Sequence, residues 1–232
     1  MDRATEALTP FAEGVWLSQD PVRIVGMPLT ATMTVLRMGD AGLLLYSPVA
    51  MTPARRAAVE ALGPVAHLYA PNLFHHRWLA EWAAAFPSAR VHAPRGLAKK
   101  NPTLRIDRIH GETPEPSFAG HVDELGIAGF RLQETTLLYR PARTLLVADL
   151  VHNVGRPEHL WSAVYTRAMG FHDRVALSRA IQWTGFSDRR AARASIDDAL
   201  SRGFERLVVG HGEPVREGAR DLLAAAYDWL GA

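Results

Sequence analysis

Short apolar clusters dominate the first part of the chain. Val15-Trp16-Leu17, Met33-Thr34-Val35-Leu36 and Leu43-Leu44-Leu45-Tyr46 are separated by Gly, Pro and Asp, a pattern that predicts β-strands joined by tight turns. Thr52-Pro53 then opens a helix, with Thr as N-cap and Pro in the first turn, and Gly63-Pro64 closes it. Residues 65–70 form a short apolar strand that stops at Pro71. Beyond it Trp78, Leu79, Trp82 and Phe86 recur at helical spacing, so 75–86 reads as a helix, and His75-His76 falls at a strand-to-helix junction. Open α/β sheets place their chemistry at such strand ends.

From Ala89 to Gly129 the pattern weakens to one strand at 90–93, and most of the stretch predicts loop. Strands return at 130–139 and at 143–149, the second delivering Asp149 at its C-terminal end. Helices are expected at about 158–169, 173–182 and 187–201, the last with Ser187 as N-cap and Gly203 just past its end. A final strand, 206–209, runs into Gly210-His211-Gly212. Val215, Ala219, Leu222, Leu223, Ala226 and Leu230 then line one face of a closing helix. No internal repeat is evident.

Composition narrows the chemistry. The 232 residues are 48% hydrophobic, enough to bury a substantial core as one domain. A formal net charge of +2 gives little reason to expect nucleic acid. There is no cysteine, so disulfides, thiolate metal sites and cysteine nucleophiles are excluded together. Any metal must be held by His, Asp, Glu or water. The N-terminus shows no apolar segment behind a basic start, and no run approaches the roughly 20 apolar residues of a membrane span, so a cytoplasmic protein without membrane attachment is expected.

Three strand ends thus carry ionisable groups: His75-His76, Asp149 and His211. Their order along nearly the whole chain resembles the metallo-β-lactamase fold superfamily, in which a strand ends in His-x-His-x-Asp-His, a later strand in Asp, and a terminal strand in a Gly-His-Gly-like turn. Ala148-Asp149 is similar to the second element and Val209-Gly210-His211-Gly212 to the third. Ser47, in Leu45-Tyr46-Ser47-Pro48, stands where many members have Asp. The resemblance implies an α/β fold, a four-layer αβ/βα sandwich, formed by a single domain over 1–232 with a helical insertion at about 156–203.

Aligning the signature's closing Asp-His on His75-His76 puts Pro71 and Leu73 at its leading histidines, and neither side chain can ligate a metal. The resemblance therefore implies loss of the first metal site. For the second it implies His75, His76, Asp149 and His211 as ligands of one divalent ion, zinc foremost, with iron or nickel as alternatives. If all four bind, no place is left for a reactive water; if three bind, a mononuclear hydrolase is feasible. Glu134 is the candidate base by position, unless it faces solvent. Asn72 is a candidate for holding substrate, and His152 for an extra ligand.

Blander readings stand beside these. His75 and His76 can serve only the backbone around them, Asp149 can cap the turn that follows it, and Arg95 to Arg108 reads as a solvated loop rather than an anion site. The leading expectation is a bacterial-type metal-dependent hydrolase acting on a small molecule of unspecified class. The alternative is a metal-free protein of the same fold that binds a small molecule or partner without hydrolysis. The aromatic positions of the helical insertion suit a local core, a lid or a homodimer contact.

Overall fold

The computed structural model describes residues 8–231; the stretch Met1–Glu6 lies outside them. Seven strands form one sheet in chain order: β1 (Thr9–Ala12), β2 (Val15–Ile24), β3 (Met27–Arg37), β4 (Leu43–Tyr46), β5 (Val65–Tyr69), β6 (Arg90–Ala93) and β7 (Arg108–Ile109). β1 to β4 pair antiparallel as a meander, whereas β4 to β7 pair parallel. Parallel neighbours need crossovers. These are α1 (Pro53–Leu62), α2 (Leu79–Ala85) and α3 (Arg95–Lys100). The second sheet holds β8 (Val122–Gly126), β9 (Thr135–Tyr139), β10 (Thr144–Leu146) and β11 (Arg206–Val208) in the order β11-β10-β9-β8. Between β10 and β11 the chain makes α4 (Leu160–Ala168), α5 (Arg179–Thr184) and α6 (Arg189–Ser201), and α7 (Ala219–Ala226) follows β11.

The period-two alternation of each strand assigns its side chains to layers. In β4, Leu43 and Leu45 face Val59, Leu79, Trp82 and Leu97 of the first three helices, while Leu44 and Tyr46 face the other sheet. In β9, Leu137 and Tyr139 join that inter-sheet core, and Leu138 packs with Ile196 of α6 and Leu223 of α7. Helices, sheet, sheet and helices make the four-layer αβ/βα sandwich expected from the sequence. No helix among the described residues is long and apolar enough to cross a membrane.

Local differences from the sequence reading have local causes. The stretch read as loop after 93 contains α3, β7 and β8, which at six, two and five residues are too short to show a period. Only Thr135–Tyr139 of 130–139 is strand, because Gln133 turns through positive φ (54°). The helix expected at 173–182 starts only at Arg179, since Ala176 pairs instead with the backbone of His152. Asp188 rather than Ser187 caps α6, its carboxylate accepting from Ala191 N at 2.9 Å. Leu222 is 40% exposed, and Val215 pairs with Leu207 outside α7.

α1 is fixed at its start by Thr52, whose hydroxyl accepts from Arg55 N at 3.1 Å, and to the sheet by Arg55 itself. Its guanidinium is fully buried, pairs with Asp20 at 2.6 Å, and donates to Ser18 and to Ala50 O. Removing one partner of a buried ion pair strands the other charge. Arg55→Ala should therefore lower the unfolding free energy by about 3 to 5 kcal/mol. Arg56→Ala, which loses only an exposed pair with Glu60, should change it by about 0.5 kcal/mol or less. Urea unfolding midpoints compare the two.

Candidate metal centre

The exits of β4, β5, β10 and β11 converge on one edge of the sandwich. After β5, Asn72 is completely buried, and its Oδ1 accepts from Phe74 N and His75 N, both at 2.9 Å. This Asx-type turn wraps the chain so that His75 points back over the strand ends. The Asn72 amide nitrogen donates to Asp149 Oδ2 at 2.8 Å and to Glu134 Oε2 at 3.0 Å. Glu134 in turn accepts from the backbone N–H groups of Ala148 (2.8 Å), Asp149 (2.8 Å) and Leu150 (3.3 Å), so one carboxylate satisfies the whole turn after β10.

From β11, His211 arrives between two glycines. A Cβ on Gly210 would lie 2.6 Å from Ala148 O and 2.8 Å from His75 Cε1, and one on Gly212, at φ +101°, 2.0 Å from Asn153 O. Glycine is therefore needed at both places for the strand ends to close up. The result is a group of three: one atom each from His75, Asp149 and His211, all within 4.8 Å of one another. His75 Nε2 lies 3.5 Å from Asp149 Oδ2, and His211 Nε2 lies 3.6 Å from Asp149 Oδ1.

The hydrogen bonds behind the rings decide what this group can accept. His211 Nδ1 lies 2.8 Å from Thr30 O, and a carbonyl only accepts, so Nδ1 carries the proton and Nε2 of the neutral ring presents a lone pair. His75 Nδ1 lies 2.7 Å from Ser47 Oγ, a hydroxyl that can donate or accept; when it accepts, His75 Nε2 presents a lone pair as well. In that tautomer two lone pairs and a carboxylate face one another, an arrangement that a cation satisfies; without a metal, a proton on His75 Nε2, 3.5 Å from Asp149 Oδ2, does so. Separations of 3.5 and 3.6 Å match the ~3.4 Å between two atoms each about 2.1 Å from a tetrahedral ion. The donor set fits a divalent metal, and three protein ligands leave a fourth position open.

The electrostatics show a site that draws positive charge, as a proton on His75 or as a metal ion. Burial opposes a charge on His75, yet the Asp149 carboxylate, with Glu134 behind it, holds the ring's pKa above its ordinary value. Burial likewise works against ionised Asp149, but His75 outweighs it and keeps this carboxyl well below the usual range. Burial and then Asp149 push Glu134 upward, and burial with His75 lowers His211.

The other expected residues are placed differently. His76 is not part of the group: it follows His75 on the turn before α2, half-buried, with burial and then Lys100 lowering its pKa. Glu134 faces neither solvent nor the crevice, because its oxygens are taken by backbone N–H groups and Asn72. Asn72 itself is too buried to touch substrate and acts through His75 and Asp149. His152 stands one layer out, its ring 5.8 Å from that of His211. Arg95, Arg105 and Arg108 are paired with Glu112, Asp107 and Glu124 rather than grouped as an anion site. Ser47 and Thr30, which set the two rings, had not been singled out as site residues. A Ser at φ 53° ending a strand has no sequence signature.

A second cluster, His67, His92 and Glu115, has similar composition but opposite lone-pair accounting. Arg108 donates to His92 Nδ1 (3.3 Å), which leaves His92 Nε2–H to donate to His67 Nδ1 (3.0 Å). His67 Nε2–H then points at Ser117 Oγ (3.0 Å), and that hydroxyl donates to Glu115 (2.7 Å), which also pairs with Arg90. Every lone pair is used, so this is a proton-ordered relay in the inter-sheet core and not a metal site.

The fold is that of the metallo-β-lactamases. No protein-family model and no curated protein sequence matches it. Among solved structures it is similar to a metallo-β-lactamase from Pontibacter korlensis, with a TM-score of 0.65, 12% identity, and coverage of 96% of this chain and 97% of that one. The metallo-β-lactamase FIM-1 from Pseudomonas aeruginosa in its mono-zinc form gives 0.62, 10%, 96% and 95%. A metal-soaked flavodiiron core from Synechocystis gives 0.67, 12%, 96% and 60%. Identities this low establish the fold.

Two outcomes follow. Glu134→Gln would turn an amide N–H toward backbone N–H groups, and should lower the unfolding free energy by about 1 to 3 kcal/mol; a solvent-facing or purely catalytic residue would leave it unchanged. In the relay, burial holds His67 below its ordinary pKa and His92, pressed also by His67 and Arg108, at about 2. Such rings take up protons only on unfolding, so their contribution is present above the ordinary histidine pKa of about 6.5 and is lost as pH falls below it. Midpoints measured from pH 7.5 to 4.5 should fall, and fall less in His92→Phe.

Proposed function

We propose that this protein is a metal-dependent hydrolase with one divalent ion held by His75, Asp149 and His211, zinc being the first candidate. The observation that carries the reading is the convergence of His75 Nε2 and His211 Nε2 on the two oxygens of the Asp149 carboxylate, 3.5 and 3.6 Å away. The mono-zinc form of one structural neighbour supports it as an analogy of fold. When bound, such an ion supplies a water of lowered pKa and polarises a carbonyl or phosphoryl oxygen.

The chain's own groups do the positioning. Ser47 and Thr30 hold the rings by Nδ1, the outer-shell contacts that fix a ligating histidine's tautomer and orientation. Asn72 and Glu134 lock Asp149 and His75 relative to each other. His76 is left out of the ligand set, which removes the expected four-ligand closure and keeps a place for water. Glu134 has no free oxygen with which to take a proton from that water, so we assign it to positioning.

Protein prepared without chelator or metal-affinity tag should contain about one metal ion per chain by elemental analysis, falling to near zero in His211→Ala and Asp149→Ala and persisting in His76→Ala. Ser47→Ala should stay folded and bind the ion about tenfold or more weakly in competition with a chromogenic chelator. A stoichiometry near zero in the parent protein would remove the proposal in favour of a metal-free binding protein.

A further inference from the structure

Asp149 and His211 border two cavities. The larger, of about 410 Å³, is walled by Val22, Ala31, Val49, Phe74, Trp78 and Leu132. The smaller, of about 250 Å³, is walled by Met27, Leu29, Val154, Tyr165 and Phe171. Ile24 and Ile181 line both. The three-residue group therefore sits at a waist between two apolar lobes, not at the bottom of one pocket.

Charge is scarce in both lobes. The larger has Arg23 and Arg77, but both are exposed at its mouth: Arg23 donates to Gly26 O at 3.3 Å, and Arg77 lies 5.0 Å over the Trp78 ring. Apart from Asp149 and the histidines, no ionisable group but Tyr165 lines the smaller lobe. Its unusual member is His152, only 8% exposed, whose ring makes no hydrogen bond among the described residues. The unpartnered Nδ1 is itself enclosed, but the ring lines the lobe and, unlike that of His211, is held by no hydrogen bond, so a ligand heteroatom there has an imidazole to meet. Pockets of this size and character take mostly apolar ligands oriented by a few polar groups.

We propose that the site takes a neutral substrate carrying an apolar arm on each side of a hydrolysable carbonyl, the acyl arm in the larger lobe and the leaving-group arm in the smaller, its heteroatom beside His152. This substrate class rests on the hydrolase reading above. Hydrolysis adds water across the bond: a new C–O bond forms, the bond from carbonyl carbon to heteroatom breaks, and one water proton ends on that heteroatom. The products are a carboxylic acid and an alcohol, amine or thiol.

Binding and turnover can be measured separately. Trp78 in the larger lobe gives a fluorescence signal for titration with N-butylhexanamide, N-methylhexanamide and N-butylacetamide. The two-armed amide should bind roughly tenfold or more tighter than either one-armed amide, since each loses several buried methylenes. Ala180→Phe, at a half-buried position lining the smaller lobe, or the gentler Ala180→Leu, should abolish the advantage of the N-butyl arm. Unchanged binding of N-methylhexanamide reports that these variants are folded. Leu132→Trp should do the converse, and His152→Phe should weaken all amides several-fold. Equal affinities for the three amides, no detectable binding, or indifference to Ala180→Phe and Ala180→Leu would overturn the two-lobe proposal; indifference to His152→Phe would overturn the placement of the heteroatom. Butyl hexanoate turnover is the separate readout. If the amides bind as expected and the ester is not cleaved, the hydrolase reading fails while the two lobes stand; if esters are cleaved without regard to their arms, the two-lobe inference fails alone.

Discussion

The buried carboxylate of Glu134 holds the site together. Three consecutive backbone N–H groups leave β10 at Ala148, Asp149 and Leu150, and all of them end on its two oxygens. Without it those donors would be buried and unpaired, each costing about 1 to 3 kcal/mol. Through Asn72 the same carboxylate reaches the turn after β5, so the exits of one strand from each sheet are tied to a single group. The position of Asp149 follows from that tie, and both histidines converge on Asp149.

Histidine chemistry in this protein is decided by what lies behind the ring. At the candidate centre a carbonyl and a hydroxyl occupy Nδ1, and both Nε2 atoms are left facing a carboxylate. In the inter-sheet core a guanidinium sits behind His92, and each following nitrogen is spent on the next partner until the chain ends on Glu115. The two clusters have nearly the same residue types. Only the first has unspent acceptors, and composition alone does not distinguish them.

This explains how much was legible in the sequence. The four layers were readable because β4, β5 and the helices packed on them carry strong period-two and helical patterns, and because the order of His75, Asp149 and His211 resembles a known superfamily. Elements of two to six residues, such as α3 and β7, were not readable, since a period needs length. Asp149 and His211 come to the centre because strand ends are where parallel sheets present side chains. His76 could not be separated from His75 by sequence, as the split depends on an Asx turn at Asn72. The direction of Glu134 stays open in the sequence, because whether a strand-entry carboxylate points to solvent or to backbone depends on the turn that Gln133 makes at positive φ. Ser47 stood out as a departure from a family pattern, and only its left-handed backbone shows that it reaches His75.

The centre also draws on both sheets and on distant parts of the chain. Asn72 and Asp149 are 77 residues apart, and Thr30 and His211 are 181. No local segment holds two of the three converging groups, so closing the site requires loops whose entropy must be overcome before any contact forms. Folding topologies with such non-local contacts are slow. A cation meeting the nascent chain finds ten scattered histidines and no preformed cradle. The centre is complete only when β11, the last strand in the chain, docks beside β10 and brings His211 to Asp149.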